Sequence, residues 1–251
     1  METNKVYIGD CLELMKDLPD KSIDMILCDL PYGSTGCSWD IKIPFELLWS
    51  QYERIITQKG AIVLTASQPF TSLLISSNLK LFKYCWVWEK SRGSNFVHSK
   101  YQPLKTHEDI CVFSLSPSAY NKKNNFMNYN PQMVEGLPYN KGIVQNDAKH
   151  LIGDYKFFSG KNETGNRYPR SIIKFSSDSD GKNRGLHPTQ KPVKLFEYLI
   201  KTYTNEGDIV LDNCAGSGTT GIACINLNRK YILIEKEEKY YDIINNRLIN
   251  L

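Results

Sequence analysis

The sequence predicts an α/β protein: a mostly parallel sheet flanked by helices, interrupted by a polar, basic insertion. Short apolar runs alternate with longer amphipathic stretches over residues 5–113, and the same rhythm returns after residue 191. Between these regions the periodicity is lost, and residues 117–185 hold eleven Lys/Arg against six Asp/Glu, while the rest of the chain holds 20 against 21. A chain of 251 residues, 41% hydrophobic and 23% charged, is long enough for one globular domain carrying such an insertion. The positive excess is local, which points to an anionic partner for that region.

Taken in order, residues 5–9 read as a strand, 11–18 as a short helix and 22–28 as a second strand ending at Asp29. Phe45, Leu48, Trp49, Tyr52, Ile55 and Ile56 fall at helical spacing, so a helix is expected over 45–58. Lys59-Gly60 would stop it before a strand over 61–65. Residues 84–88 and 109–113 are further strand candidates. After Lys191-Pro192 come a helix over 195–203, a strand over 209–212, a glycine turn, a helix over 219–227, a strand over 231–235 and a final helix. There is no internal repeat.

Several classes are excluded. No apolar run approaches the roughly 18 to 20 residues that cross a bilayer. Residues 1–5 lack the basic-then-apolar build of a signal peptide and no lipidation motif closes the C-terminus, so a cytoplasmic protein is expected. The seven cysteines, Cys11, Cys28, Cys37, Cys85, Cys111, Cys214 and Cys224, are scattered without a C-x-x-C pair. This argues against a disulfide scaffold or a cysteine-rich metal site, and no metal is expected.

Two segments carry chemistry. Asp212-Asn-Cys-Ala-Gly-Ser-Gly-Thr-Thr-Gly221 follows an apolar strand and opens a helix, which lets backbone approach a ligand closely at a helix N-terminus. Gly216, Gly218 and Gly221 fit the dinucleotide spacing, and Glu235 ends the next strand at a distance suited to a ribose diol. No Lys follows the glycines, so a phosphate-cradling Walker loop fails. The same glycines would also serve tight helix–strand packing. Asp212, just before the turn, opposes a pyrophosphate and favours a cationic ligand. Asp29-Leu-Pro-Tyr-Gly33 lies past the end of a buried strand, where open α/β sheets bind ligands. Pro31 stiffens the segment, Asp29 offers acceptors and Tyr32 an aromatic face, a set that suits a planar ring with an exocyclic amino group. An ordinary Asp-x-Pro turn has the same composition.

Asp29-Leu-Pro-Tyr32 resembles the catalytic motif of amino-methylating DNA methyltransferases, which is Asp, Asn or Ser followed by Pro-Pro and an aromatic residue. Residues 212–220 are similar to their cofactor motif, Asp-x-Phe-x-Gly-Ser-Gly-Thr-Thr. The order of catalytic motif, basic region, His187-Pro-Thr-Gln-Lys-Pro192 and cofactor motif resembles the β class, many of whose members methylate adenine N6. The likeness covers residues 5–116 and 186–248. Leu30 stands for the usual proline and Cys214 for the usual phenylalanine.

The resemblance implies a Rossmann-like methyltransferase fold: a mostly parallel seven-stranded sheet, helices on both faces and circularly ordered motifs. The catalytic domain would comprise residues 1–116 and 186–251, with residues 117–185 as the target-recognition insertion. It implies transfer from S-adenosylmethionine to a base flipped out of double-stranded DNA. Asp29 with the Leu30 or Pro31 carbonyl would orient the amino group, and Tyr32 would stack on the base. Asp29 would also border the cofactor. Cofactor contacts would come from Asp212, Cys214, Ala215, Gly216, Ser217, Gly218 and Thr219, with Glu235 on the ribose. Asp10 and Cys11 would meet the adenine moiety, and Thr189 and Lys191 the cofactor carboxylate. His187 reads as a loop histidine that orients backbone, and Cys28 as a buried strand residue. Trp86, Trp88, Lys90, His107 and Glu108 are candidates to border the base pocket.

In the insertion, Lys122, Lys123, Lys161, Arg167, Arg170, Lys182 and Arg184 interleave with Tyr120, Tyr129, Tyr139, Tyr155 and Tyr168, a mixture suited to phosphates and unstacked bases. Related β-class enzymes often form homodimers, and any cognate restriction endonuclease would be a separate chain. Cytosine N4 is the nearest alternative target, although an initial Ser is commoner in that branch. A nucleotide-dependent oxidoreductase and a non-catalytic DNA-binding protein are the other readings.

Overall fold

Ile26 and Cys28 in one strand face one apolar layer while their neighbours Met25 and Leu27 face another, and all four are fully buried. A strand buried on both sides requires helices on both faces of its sheet. The structure, a computed structural model, describes residues 1–37, 40–117, 125–140, 160–176 and 185–250. Its strands are β1 (Lys5–Ile8), β2 (Ile23–Asp29), β3 (Ile56–Ala66), β4 (Phe82–Ser94), β5 (Lys105–Phe113), β6 (Tyr139–Asn140), β7 (Lys161–Asn162), β8 (Ile172–Phe175), β9 (Ile209–Asp212) and β10 (Lys230–Glu235). The helices are α1 (Cys11–Leu14), α2 (Phe45–Ile55), α3 (Phe70–Ser77), α4 (Val193–Tyr203), α5 (Thr219–Asn226) and α6 (Glu238–Ile249).

The main sheet runs β1-β10-β9-β2-β3-β5-β4-β8, and only β5 is antiparallel to its neighbours. Leu48, Tyr52 and Ile55 of α2 and Phe70 and Leu74 of α3 cover one face with Met15. Leu195, Leu199 and Tyr203 of α4, Ala223 of α5 and Ile244 of α6 cover the other. The expected α/β architecture is present, with eight strands rather than seven.

The eighth strand, β8, comes from within the expected insertion. It pairs in parallel with β4, and the Phe175 carbonyl accepts a 3.0 Å bond from the Trp88 indole. The chain forms two compact units, Met1–Asn130 with Ser171–Leu251, and Pro131–Arg170. The separate unit is therefore shorter at both ends than residues 117–185. By itself it holds the β6–β7 ladder and a Val134–Arg167 bridge.

Two further boundaries differ from expectation. Helix α2 ends at Ile55, because Ile56 pairs with Ile23 and already belongs to β3. Gly60 is no helix stop: a Cβ there would meet Ile56 at 2.7 Å and the Asp24 carbonyl at 2.8 Å, so it is a strand glycine where β2 approaches closely. Helix α3 has no counterpart among the elements expected from sequence. Among the described residues, no helix is long and apolar enough to cross a membrane. All seven cysteines are free.

Helix α4 is fixed to the sheet by a polar contact inside the core. Tyr203 is fully buried, and its hydroxyl accepts a 2.6 Å bond from Trp86 and lies 3.1 Å from the Tyr84 hydroxyl. Trp86 is thus core rather than pocket lining. Tyr203→Phe should leave the indole N–H buried without its acceptor and cost about 1–3 kcal/mol. Urea unfolding monitored by fluorescence should show a lower midpoint at unchanged slope, and an unchanged midpoint would refute the assignment.

Candidate active site

Parallel pairing brings the carboxyl ends of β1, β10, β9 and β2 side by side; the last three end at Glu235, Asp212 and Asp29, and Asp10 follows two residues after β1. A cleft of about 670 Å³ opens there, in the size range of small-molecule sites. It is lined by Asp29, Leu30, Pro31 and Tyr32 and by every expected cofactor residue except Gly218. The described part of the chain thus brings together residues as far apart in sequence as Asp10 and Glu235.

Among the described residues, Asp29 alone of these acids accepts a hydrogen bond from an ammonium. Register pairs it with Thr65 on β3, whose hydroxyl donates to Oδ1, as does the Tyr32 hydroxyl at 3.0 Å. The Lys191 ammonium donates to Oδ2 at 2.5 Å. Lys191 is itself buried and lies 3.6 Å from Glu108, which is paired with Lys90 at 2.9 Å. Burial alone would lower the Lys191 pKa, but the charges of Asp29 and Glu108 outweigh it and raise it. Its ammonium is therefore engaged with the acid of the catalytic-type motif. The Thr189 hydroxyl sits 3.1 Å from His187 Nδ1.

Tyr32 stacks on Phe70 with ring centroids 4.7 Å apart, leaving its opposite face as the only one a ligand ring could take. Burial, then the charges of Asp29 and Glu108, push its phenol well above the ordinary value. The turn after Tyr32 is held by Asp40, which accepts from the backbone N–H groups of Gly33, Ser34 and Thr35 at 2.7–2.8 Å. Burial would raise the Asp40 pKa, and those donors outweigh it and lower it. Neither Phe70 nor Asp40 was singled out in the sequence; an acid seven residues past Gly33 was the available signal for the second.

The glycine turn divides its labour. Gly216 has a φ of +53° and faces the His187 ring, and its N–H donates to Glu235 at 2.7 Å. Gly218 faces away from the cleft: with φ at +77°, a Cβ there would meet Ile244 of α6 at 2.9 Å. The packing role of the glycines is thus real at Gly218. Arg247 of α6, unmarked in the sequence reading, donates to the Ser217 carbonyl at 2.9 Å and lies 3.4 Å from the Thr219 hydroxyl, bracing the loop. Ala215 bonds back to the Ile234 carbonyl at 3.0 Å, and Cys214 lies beside Cys11, which also lines the cleft, and the buried Cys28.

The other acids differ in state. Glu235 accepts from the N–H groups of Lys236 and Glu237 on Oε1 and from Gly216 on Oε2, and burial raises its pKa. Only Oε2 keeps an open acceptor position in this count. Asp10 caps α1 through a 2.9 Å bond from Leu12 and lies 3.7 Å from Lys236. Asp212 is buried with bonds from the Cys214 N–H at 3.1 Å and the Thr220 hydroxyl at 2.5 Å, and has no ion pair among the described residues. Burial pushes its pKa up to about 7. Burial lowers His187 to about 4, so the imidazole is neutral near pH 7.

Of the pocket-border candidates, Trp88, Lys90 and Glu108 line the cleft and His107 is exposed. Of the cations expected on nucleic acid, Lys122, Lys123, Lys182 and Arg184, with Tyr120 and Tyr155, lie outside the described residues. Lys161 pairs with Glu163 at 2.6 Å and Arg170 is exposed. Arg167 bonds the carbonyls of Gly165 and Leu137 and covers the Tyr139 ring at 4.6 Å, which makes it a clamp inside its own unit.

The fold and cleft define a class, an α/β enzyme that binds a nucleoside-bearing ligand at the switch point of a parallel sheet. Comparison with known proteins then identifies the family. The DNA methylase family of N6- and N4-type enzymes matches residues 23–246. The type II methyltransferase M.HpaI of Haemophilus parainfluenzae is 27% identical over 97% of this chain and 74% of its own. The DNA adenine methyltransferase YhdJ of Escherichia coli K12 is 29% identical over 95% of this chain and 80% of its own. The crystal structure of the M1.HpyAVI–SAM complex superposes with a TM-score of 0.62 at 26% identity, covering 98% and 99% of the two chains. The chain belongs to the DNA methylase family and is an S-adenosylmethionine-dependent DNA methyltransferase.

A buried carboxylate without a cationic partner fits the cationic end of this cofactor, and it gives a pH signature. Below about pH 7 Asp212 is protonated, so affinity for S-adenosylmethionine should fall as pH is lowered from about 8 to about 6. Calorimetric titration should show this slope in the wild type and lose it in Asp212→Asn; an identical slope in the variant would assign it to another group.

Proposed function

We propose that the protein transfers a methyl group to the N6 amino nitrogen of adenine in double-stranded DNA. The observation that carries this reading is the state of Asp29. Oδ1 is filled by Thr65 and Tyr32 and Oδ2 by one bond from Lys191, which leaves an acceptor position on Oδ2 beside the open face of Tyr32. An exocyclic amino group donating there, with its ring on Tyr32, presents the nitrogen lone pair away from the carboxylate. Only a base rotated out of the stack reaches such a position. The adenine choice is supported by the initial Asp of the motif and by the likeness to an enzyme named as an adenine methyltransferase.

S-adenosylmethionine supplies the methyl group when bound. Glu235 Oε2 and Asp10 suit the ribose and adenine ends, Asp212 the cationic end, and the loop from Cys214 through Ser217 to Thr219 the wall between them. Lys191 acts in this reading on Asp29 as well as toward the cofactor carboxylate, holding the acceptor oxygens in one orientation. Thr189 keeps His187 over Gly216. The insertion, through residues such as Arg170 and Lys161, reads the target sequence. A separate cognate endonuclease is supported by the type II designation of M.HpaI. A homodimer is supported by the likeness to the β class.

Asp29→Ala should lower methyl transfer by about a hundredfold or more while cofactor affinity stays within several-fold. Nucleoside mass spectrometry of DNA treated with each protein is the check. N4-methylcytosine in place of N6-methyladenine would overturn the choice of base, and undiminished turnover by the variant would overturn the role of Asp29.

A further inference from the structure

Two thiols outside the cleft lie side by side in the sheet. Register places Cys85 of β4 directly opposite Cys111 of β5 in an antiparallel pair, and their sulfurs are 3.7 Å apart. Directly opposed residues of antiparallel strands have Cα atoms roughly 4.5–5.5 Å apart, inside the range that a disulfide spans. The two sulfurs differ in access: Cys85 is half-buried, while Cys111 is fully buried in the apolar layer of Leu64, Leu74 and Phe113. They differ in acidity as well. The hydrogen bond between them lowers the pKa of Cys85 below the ordinary thiol value, and the same bond together with burial raises that of Cys111. The thiolate therefore forms on the sulfur that a small solute can reach. Of the other cysteines, Cys11 and Cys214 line the cofactor cleft, Cys28 and Cys224 are buried, and Cys37 is exposed.

A single buried cysteine packs as a small apolar side chain and carries no chemistry. An opposed pair with one accessible, more acidic sulfur has the parts of a redox couple: a thiolate that attacks and a second thiol placed to resolve it. We propose that Cys85 and Cys111 form a reversible oxidation site for small hydroperoxides, closing to a cross-strand disulfide. The Cys85 thiolate attacks a peroxide oxygen, the O–O bond breaks, and Cys85 becomes a sulfenic acid. The Cys111 sulfur then attacks the Cys85 sulfur, the S–O bond breaks, and the hydroxyl leaves as water with the Cys111 proton. In sum the two thiols lose two electrons and two protons, and hydrogen peroxide is reduced to two waters. Neither sulfur lines the cleft, so the oxidised chain keeps its cofactor site. The bond ties together the two strands that carry Lys90 and Glu108 to that cleft, and it closes a loop in the unfolded chain.

The test treats the full chain with a small excess of hydrogen peroxide, blocks the remaining thiols with N-ethylmaleimide and maps its peptides without reduction. A peptide pair joined through Cys85 and Cys111 is expected, and dithiothreitol should release it. Cys111→Ala removes the resolving thiol and should leave Cys85 as a sulfenic acid that dimedone labels, whereas Cys85→Ala should leave Cys111 reduced. The oxidised wild type should melt roughly 5–10 °C above the reduced protein with unchanged affinity for S-adenosylmethionine, and Cys85→Ala should lose that shift. A map without the Cys85–Cys111 pair overturns the proposal, including one in which Cys11 joins Cys214 or two chains join through Cys37. So does a Cys111 that oxidises equally well in Cys85→Ala. A disulfide that forms without raising the melting temperature overturns the claim that it ties the strands. Because the map is made on the wild type, it decides the site even where Cys111→Ala fails to fold.

Discussion

The register of the parallel strands is the constraint on which the site depends. Ile8 lies opposite Glu235, Leu233 opposite Asp212, Ile26 opposite Leu211 and Asp29 opposite Thr65, so the acids at the carboxyl ends of neighbouring strands fall within two residues of one another and share one cleft. A slip of one residue would turn each side chain to the other face and bury the carboxylates among Met25 and Leu27 or Ile26 and Cys28. The two apolar layers, both without tolerance for charge, hold the register against that slip. Packing far from the chemistry thereby sets the positions of the acids.

Acids gathered this closely would repel one another if all were charged and unpaired. The structure resolves this differently at each. Asp29 is met by an ammonium, Glu235 by three backbone N–H groups and Asp10 by a helix N-terminus and a distant lysine. Asp212 is met by hydrogen-bond donors but by no cation among the described residues, and burial raises its pKa against those bonds. The least compensated acid is therefore where a cationic ligand gains most. Asp29, already paired with an ammonium, is suited to accept a hydrogen bond in a fixed direction rather than to attract charge.

The sequence made the sheet and the floor of this cleft legible because both are local. Strands buried on two sides are continuous apolar runs, and the motifs around Asp29 and Asp212 are short turns whose residues act within a few positions. What supports those motifs arrives from a distance. Phe70 reaches Tyr32 from a helix whose sequence, Phe-Thr-Ser-Leu-Leu-Ile-Ser-Ser, lacks charge and so carries no strong amphipathic period. Arg247 looks like a solvent-facing residue of a terminal helix until its contact with Ser217 is seen. β8 is four residues long inside polar sequence, and only its pairing with β4 distinguishes it from a loop. Lys191 was legible as a functional lysine, but its contact with Asp29 depends on the approach of two segments 162 residues apart.

An acidic cleft floor is an unusual surface for an enzyme of DNA, since phosphates are repelled by it over about a Debye length of 8–10 Å. The arrangement has a selective consequence. A neutral base rotated into the cleft meets hydrogen-bond acceptors and an aromatic face, while its flanking phosphates are better placed outside among cations. The chain's charge follows that division: acids at the strand ends, a locally basic insertion, and an acid-free run from residue 90 to 107 that begins at the edge of the cleft. That run opens at Lys90, which lines the cleft and pairs with Glu108 at the point where the sheet gives way to the loop.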